Sequence, residues 1–235
     1  MDTVPASKRR GINRVAWTMQ VKPPRVPRAA TLAYAGSQGP RVVPGTYTVR
    51  LTKGAKVYET KLDIGLDRRA PWKVADRREQ FDAAMKVHAL FGDMSDLVEK
   101  IDSASAALAQ RMKAQPQDTR LAGLLGKVDV TKKKIVATKE GGAITGEERI
   151  REHTDHLYSA LLSWEGKPAP YLVARTDALR RELAEVRAEF EALQPQIQSL
   201  RLSPKPQPSA VPQMMSACIH EDWEECGAPL QVDVR

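Results

Sequence analysis

Between residues 172 and 200, side chains recur at Leu172, Thr176, Leu179, Leu183, Val186, Phe190, Leu193, Ile197 and Leu200, in alternating steps of four and three. A helix of 3.6 residues per turn lays such a series along one face. Between these positions lie Arg180, Arg181, Glu182, Glu185, Arg187, Glu189 and Glu191, a mixed-charge face suited to water. A stripe this regular requires another apolar helix along it, because apolar surface removed from water contributes about 25 cal/mol per Å². Pro195 has no amide hydrogen to give the helix, so the periodicity predicts an end or a kink after about Phe190 to Leu193. The breaks at 141–144 and 166–170 are short, which favours antiparallel partners within the same chain. An intermolecular coiled coil through the seam is the alternative.

Partners for that helix are present upstream. Phe81, Met85, His88, Met94, Val98, Ile101, Leu108 and Met112 form a stripe that Pro116 ends. A second, weaker helix carries Leu121, Leu124, Leu125, Val128 and Ile135. Gly141-Gly142 reads as a loop. Thr145-Gly146-Glu147-Glu148 has the form of a capping box opening a third helix, whose stripe is Ile150, Leu157, Leu161 and Trp164.

The first 70 residues are different. They are rich in Pro and Gly and hold short alternating runs. Gly11 to Met19 predicts a half-buried strand with Val15, Trp17 and Met19 on one face. Residues 22–40 predict a long loop. Thr46 to Thr52 predicts a strand with Tyr47, Val49 and Leu51 on one face. Lys53-Gly54 predicts a hairpin turn, and Lys56 to Ile64 the return strand. In that return strand Val57 and Glu59 are out of phase with Leu62 and Ile64, which predicts a bulge near Thr60. Three strands are too few to close a sandwich and leave two open edges.

Charge is distributed unevenly. Residues 1–70 carry 14 Lys and Arg against 4 Asp and Glu, while the whole chain has 37 against 29, so the excess of basic groups lies in the first part. These basic residues are scattered singly among Pro, Gly and β-branched residues, without a helix stripe or a stacking platform, which argues against nucleic acid as the partner. No stretch approaches the ~20 apolar residues of a membrane span. Met1 to Arg10 has no apolar core of a secretory signal, so the expectation is a cytoplasmic chain. After Ser203-Pro204-Lys205-Pro206-Gln207-Pro208, a stiff linker, the tail to Arg235 has no period and predicts disorder.

Several groups of residues have the side chains of a chemical site. Glu152, His153, Asp155 and His156 lie on the third helix, with the two histidines three apart as for one metal; a third ligand from elsewhere is missing, and surface histidines are the plainer reading. Cys218, His220 and Cys226, with Glu221, Glu224 and Glu225, match no zinc spacing. The two thiols are compatible with a bridge or with free cysteines. His88 on its apolar stripe reads as a core histidine rather than a catalyst. Asp63 and Asp67 flank Gly65 and read as turn and cap residues. Gly36, Gly39 and Gly45 do not have the spacing of a phosphate cradle. Among the aromatics Trp17, Tyr47, Tyr58 and Trp72, alternation turns Trp17 and Tyr47 inward, toward core packing rather than a carbohydrate platform. No residue is assigned as catalytic, cofactor-binding or metal-binding.

Gly11-Ile12-Asn13-Arg14-Val15-Ala16-Trp17, then Gly39-Pro40, Pro44 to Leu51 and Asp67-Arg68-Arg69, resemble the C-terminal immunoglobulin-like segment of large bacterial sortilin-like proteins. Those are propellers with BNR/Asp-box repeats, often labelled glycosyl hydrolases. The Gly-x-Asn-x-Val-x-Trp and Pro-Gly-x-Tyr pair is also similar to the Ig-like module of flagellar hook-capping proteins. The helical stretch with Leu157-Tyr158-Ser159, Trp164 to Pro168 and Leu179 to Leu193 is similar to the region that follows in the sortilin-like group. The resemblance covers about residues 9–202. The propeller and its repeats are not in this chain, and the end from Ser203 departs from the family, so no family functional residue carries over.

The expected architecture is α+β. A partial Ig-like β-sandwich (1–70) precedes an antiparallel three- or four-helix bundle (71–202) and a Pro-rich linker with a disordered tail (203–235). The expected function is that of a non-catalytic accessory module, packing on a propeller domain or forming a homo-oligomer through the helices. The resemblance implies parent proteins that work outside the cytoplasm. The competing reading is a substrate-binding wall of a glycosyl hydrolase or peptidase, which would show an exposed aromatic or carboxylate pair facing a cleft.

Overall fold

The computed structural model describes residues 2–5, 10–139, 147–202 and 231–234. Among these residues the chain is mixed α and β, with four α-helices and one small antiparallel sheet. The strands are β1 (Asp2–Pro5), β2 (Gly45–Lys53), β3 (Lys56–Ile64) and β4 (Gln231–Val234), and the helices are α1 (Val74–Ala114), α2 (Thr119–Ile135), α3 (Ile150–Leu162) and α4 (Pro170–Leu202).

The helices enclose the core. On α4, Leu179, Leu183, Val186, Phe190 and Ile197 are 5 % exposed or less. They pack against α1, α2 and α3 of the same chain. The seam is therefore covered from within, and an intermolecular coiled coil through it would require the helices to separate. Pro195 lies inside α4, which continues to Leu202; of the end or kink expected after about Phe190 to Leu193, the end does not occur. The lost hydrogen bond is offset by burial two residues further on, at Ile197.

On α1 the buried stripe is offset from the expected one. Ala83, Ala84, Val87, Leu90, Phe91, Met94, Val98 and Ile101 are buried, while Phe81, Met85 and His88 are only half-buried. In these first turns the two adjacent alanines, Ala83 and Ala84, take the buried positions, and the larger Phe81 and Met85 lie at the margin. Asp118 caps α2, accepting the backbone N–H of Arg120 at 2.9 Å and of Leu121 at 3.3 Å. The ion pair Lys132–Asp102 at 2.6 Å joins positions equally far from the 115–118 turn, so α1 and α2 form an antiparallel hairpin. α3 opens at Ile150, later than the expected capping box, and Glu152 accepts the backbone N–H of Arg149 at 3.2 Å. Thr145, Gly146 and the Gly141-Gly142 loop lie outside the described residues. Trp164 lies beyond the end of α3 and is 54 % exposed, not part of its buried stripe.

The sheet order is β1-β4-β2-β3, all antiparallel. β2 and β3 pair without interruption from Gly45–Ile64 to Lys53–Lys56, so the bulge expected near Thr60 does not form. Val57 stands opposite Thr52 on the face that also carries Arg50 and Glu59, and is 54 % exposed. The phase conflict in the sequence is met by leaving an apolar residue in water. The turn at Gly54-Ala55 uses a positive φ of 56° at Gly54, where a Cβ would be strained. Gln231–Val234 form a strand between β1 and β2, contrary to the expectation of disorder to Arg235; the Pro-rich linker lies outside the described residues.

Gly11–Met19 is not a strand. Alternation makes a segment suited to a sheet, but a strand also needs a neighbour for its backbone groups. The run is bounded by positive φ values at Gly11 (99°) and Met19 (56°), and its nearest pairing is a single bridge between Gln20 and Arg41. Residues 20–42, of which 22–40 were expected as a loop, lie along the helices, with Val26, Ala29 and Ala35 joining the helical core. The stretch 1–70 is thus shared between a strap on the helices and the sheet.

Candidate functional site

The strap is held by charged and polar groups of α3. Asp155, 6 % exposed, accepts the backbone N–H of Gly36 at 2.8 Å, of Tyr34 at 3.0 Å and of Ala35 at 3.4 Å. These amides open the short 3-10 turn Ala35–Ser37, so the carboxylate satisfies donors that the turn leaves free. One turn earlier, buried Glu152 accepts from Thr31 Oγ1 at 2.7 Å and from Arg151 at 2.9 Å, and Arg151 also donates to Thr31 Oγ1 at 2.8 Å. One turn later, the Tyr158 hydroxyl donates to the Gln38 carbonyl at 3.2 Å. Burial raises the Tyr158 pKa, so this group acts as a neutral donor. Positions 151, 152, 155 and 158 thus present one face of α3 to the strap.

At one end of the strap a cleft of about 530 Å³ opens between residues 38–41, the segment before α1 and the α3–α4 turn. Arg77 lies buried at its base. Its guanidinium donates to the carbonyl of Arg41 and to Gln80, whose amide donates in turn to the Leu161 carbonyl. Desolvation lowers the Arg77 pKa, and the Glu165 carboxylate acts in the opposite sense. Desolvation also raises the pKa of Tyr47, which the Arg77 charge opposes. Arg41 pairs with Glu165 at 2.8 Å across the mouth. Trp72 and Trp164 meet edge to face with centroids 4.6 Å apart. A second hollow of about 340 Å³ adjoins on the far side of Trp164, next to Tyr171, which is 69 % exposed.

The charges of this cleft are already engaged by the protein. Asp67 is bonded to Arg69 at 2.8 Å, which lowers its pKa, and Arg77 is spent on carbonyls and an amide. What the cleft offers a ligand is aromatic surface and hydrogen-bonding groups, among them Gln20, Gln38 and Ser163.

The residues singled out in the sequence are dispersed. Glu152 and Asp155 face the strap, whereas His153 stands 3.5 Å from Glu148 and His156 is exposed. Asp63 accepts from Thr46 Oγ1 at 2.6 Å, away from the Asp67–Arg69 turn. His88 Nε2 is 3.1 Å from the Lys22 carbonyl, a strap contact rather than a core position. Gly36 donates its amide to Asp155, and Gly39 sits where an added Cβ would lie 1.8 Å from the Val21 carbonyl oxygen. Trp17 and Tyr47 pack against each other at 5.8 Å, each half-buried. Trp72 joins Trp164 rather than the sheet aromatics. Cys218, His220 and Cys226, with Glu221, Glu224 and Glu225, lie outside the described residues.

Sequence reasoning missed Arg77, Gln80, Thr31 and Glu165. Arg77 and Gln80 carried a faint signal: they stand three apart on the buried side of α1, where polar residues interrupt the apolar stripe. Among the described residues, no helix is long and apolar enough to cross a membrane. Compared with protein-family models, curated proteins and solved structures, the chain gives no match.

Proposed function

We propose that this chain is a non-catalytic interaction module, the C-terminal part of a sortilin-like propeller protein, whose β segment packs against a propeller or another protein. The observation that carries this reading is the β2–β3 hairpin. Register places Tyr47 opposite Leu62 and Leu51 opposite Tyr58 on one face, and Leu51, Tyr58 and Leu62 are 37 %, 53 % and 40 % exposed. Trp17 packs on Tyr47, but among the described residues Leu51, Tyr58 and Leu62 stay exposed, as the inner face of an Ig-like sandwich lacking its second sheet would. The engagement of Asp155, Glu152 and Arg77 in holding the strap supports a structural role for the buried charges. The test is calorimetric titration of the chain with a BNR-repeat propeller from the same genome. Binding that is lost in Leu51→Asp and Leu62→Asp, with helical circular dichroism retained, is the expected result; failure to bind any such propeller overturns the reading.

A second reading, a carbohydrate-binding wall for a catalytic domain elsewhere, is favoured by Trp164, which is 54 % exposed between two hollows, one lined by Gln20, Gln38 and the Arg41–Glu165 pair, the other by Tyr171 and Lys167. Titration with soluble oligosaccharides, followed by tryptophan fluorescence in the wild type and in Trp164→Ala, separates the two. A saturating change absent from the variant supports the wall; an unchanged spectrum ends it.

A further inference from the structure

β3 is the terminal strand of the sheet and has no strand on its outer side among the described residues. Residues Lys56 to Asp63 are all exposed. The hairpin loop has two residues, so the Lys56 amide turns back toward the Lys53 carbonyl. Alternation then points the backbone groups of Lys56, Tyr58, Thr60 and Leu62 at β2, and those of Val57, Glu59, Lys61 and Asp63 outward. An unpaired row of this kind is a template for another strand.

We infer that the occupant is β3 of a second copy of this chain, paired antiparallel about a two-fold axis at Thr60. In this register outward backbone groups meet outward backbone groups, Glu59 with the partner's Lys61 and Val57 with the partner's Asp63. On the polar face Glu59 stands opposite the partner's Lys61, and the symmetry makes the same pair a second time. On the apolar face Tyr58 stands opposite the partner's Leu62, again twice, joining the two half-exposed patches into one. The charges are held in place before association: Arg50 bonds Glu59 at 2.6 Å, and Lys61 donates to Thr48 at 2.6 Å. Pairing extends these into a ladder Arg50–Glu59–Lys61–Thr48 across the axis.

The neighbouring symmetric registers are disfavoured by the same residues. An axis at Glu59 sets that carboxylate against its own copy and Lys61 against Val57. An axis at Lys61 sets two ammonium groups together and Glu59 against Asp63. Like charges directly opposite in an antiparallel pair are destabilising. A charged edge strand is also a device against pairing, but opposite charges placed symmetrically about Thr60 attract their own copy. This pairing uses the edge of the strand, not its face, and is independent of the propeller reading.

The experiment is light scattering of the full chain over a dilution series from micromolar to hundreds of micromolar. The wild type is expected to reach twice the monomer mass of 26.0 kDa. Glu59→Lys and Lys61→Glu, each alone, are expected to fall to the monomer mass, because each places like charges opposite at both symmetric pairs. An equimolar mixture of the two variants is expected to regain the double mass, since an all-basic edge then meets an all-acidic one. This recovery also shows that both variants fold. Three results overturn the inference: a wild type that stays at the monomer mass throughout, single variants that keep the double mass, or dissociated variants whose mixture does not associate.

Discussion

The carboxylate of Asp155 on α3 accepts the backbone N–H of Gly36 at 2.8 Å, across 119 residues of chain. Tyr34 and Ala35 donate to the same carboxylate, so one side chain closes a turn that is remote in sequence. The strap belongs to the helical body because of such contacts, and most of the testable consequences concern it.

Asp155→Ala leaves three amides of the turn without their acceptor. Unpaired buried donors cost about 1–3 kcal/mol each before relaxation and water entry, so a net loss of about 3 kcal/mol is expected. Urea denaturation checks it. Hydrogen exchange at Gly36 should accelerate more than in the middle of α4.

Thr31→Val removes the hydroxyl that joins Glu152 and Arg151 while keeping its volume. The expected cost is about 1–3 kcal/mol, because a buried carboxylate loses a donor and a buried guanidinium an acceptor. Thr31→Ser retains the hydroxyl and should recover most of that stability in the same denaturation assay.

Gly39→Ala puts a methyl group into the Val21 carbonyl, forcing apart the backbone pairing of Val21 with Pro40 at 3.0 Å. A destabilisation of about 1–3 kcal/mol is expected. Limited proteolysis should cut first within residues 20–42, leaving the helices intact.

Leu183→Ala or Phe190→Ala opens a cavity in the seam between α4 and the other helices. Losses of about 2–5 kcal/mol are expected. Association read by light scattering should be unaffected, since the seam is internal.

Glu147 accepts the backbone N–H of Thr138 at 2.7 Å and of Lys139 at 3.2 Å, and these bonds lower its pKa to about 2. The folded value lies below the unfolded one, so its contribution is complete above the ordinary carboxylate range and is lost as pH falls from there toward 2. Glu147→Gln should flatten that part of the stability–pH curve, measured by denaturant midpoints at successive pH values.

Much of the helical part was legible because burial there follows sequence spacing. The seam from Thr176 to Ile197 needed only the 3.6 period. Spacing misled in two places: the first turns of α1 bury Ala83 and Ala84 with Phe81 and Met85 at the margin, and α4 runs on through Pro195 to Leu202 with Ile197 buried. The polar cleft was hardly legible. Arg77, Arg41 and Glu165 are far apart in sequence and meet only because the strap, α1 and the α3–α4 turn converge.

By itself the sequence determined that four amphipathic helices and one hairpin arise, since these depend on local propensity and on a period repeated within one segment. The tertiary structure alone decided that residues 20–42 lie on the helices, that Gly11 to Met19 finds no strand partner among the described residues, and that Gln231–Val234 enters the sheet. Each of these depends on backbone groups finding hydrogen-bond partners distant in the chain, and side-chain spacing carries no record of which distant amide meets which carbonyl.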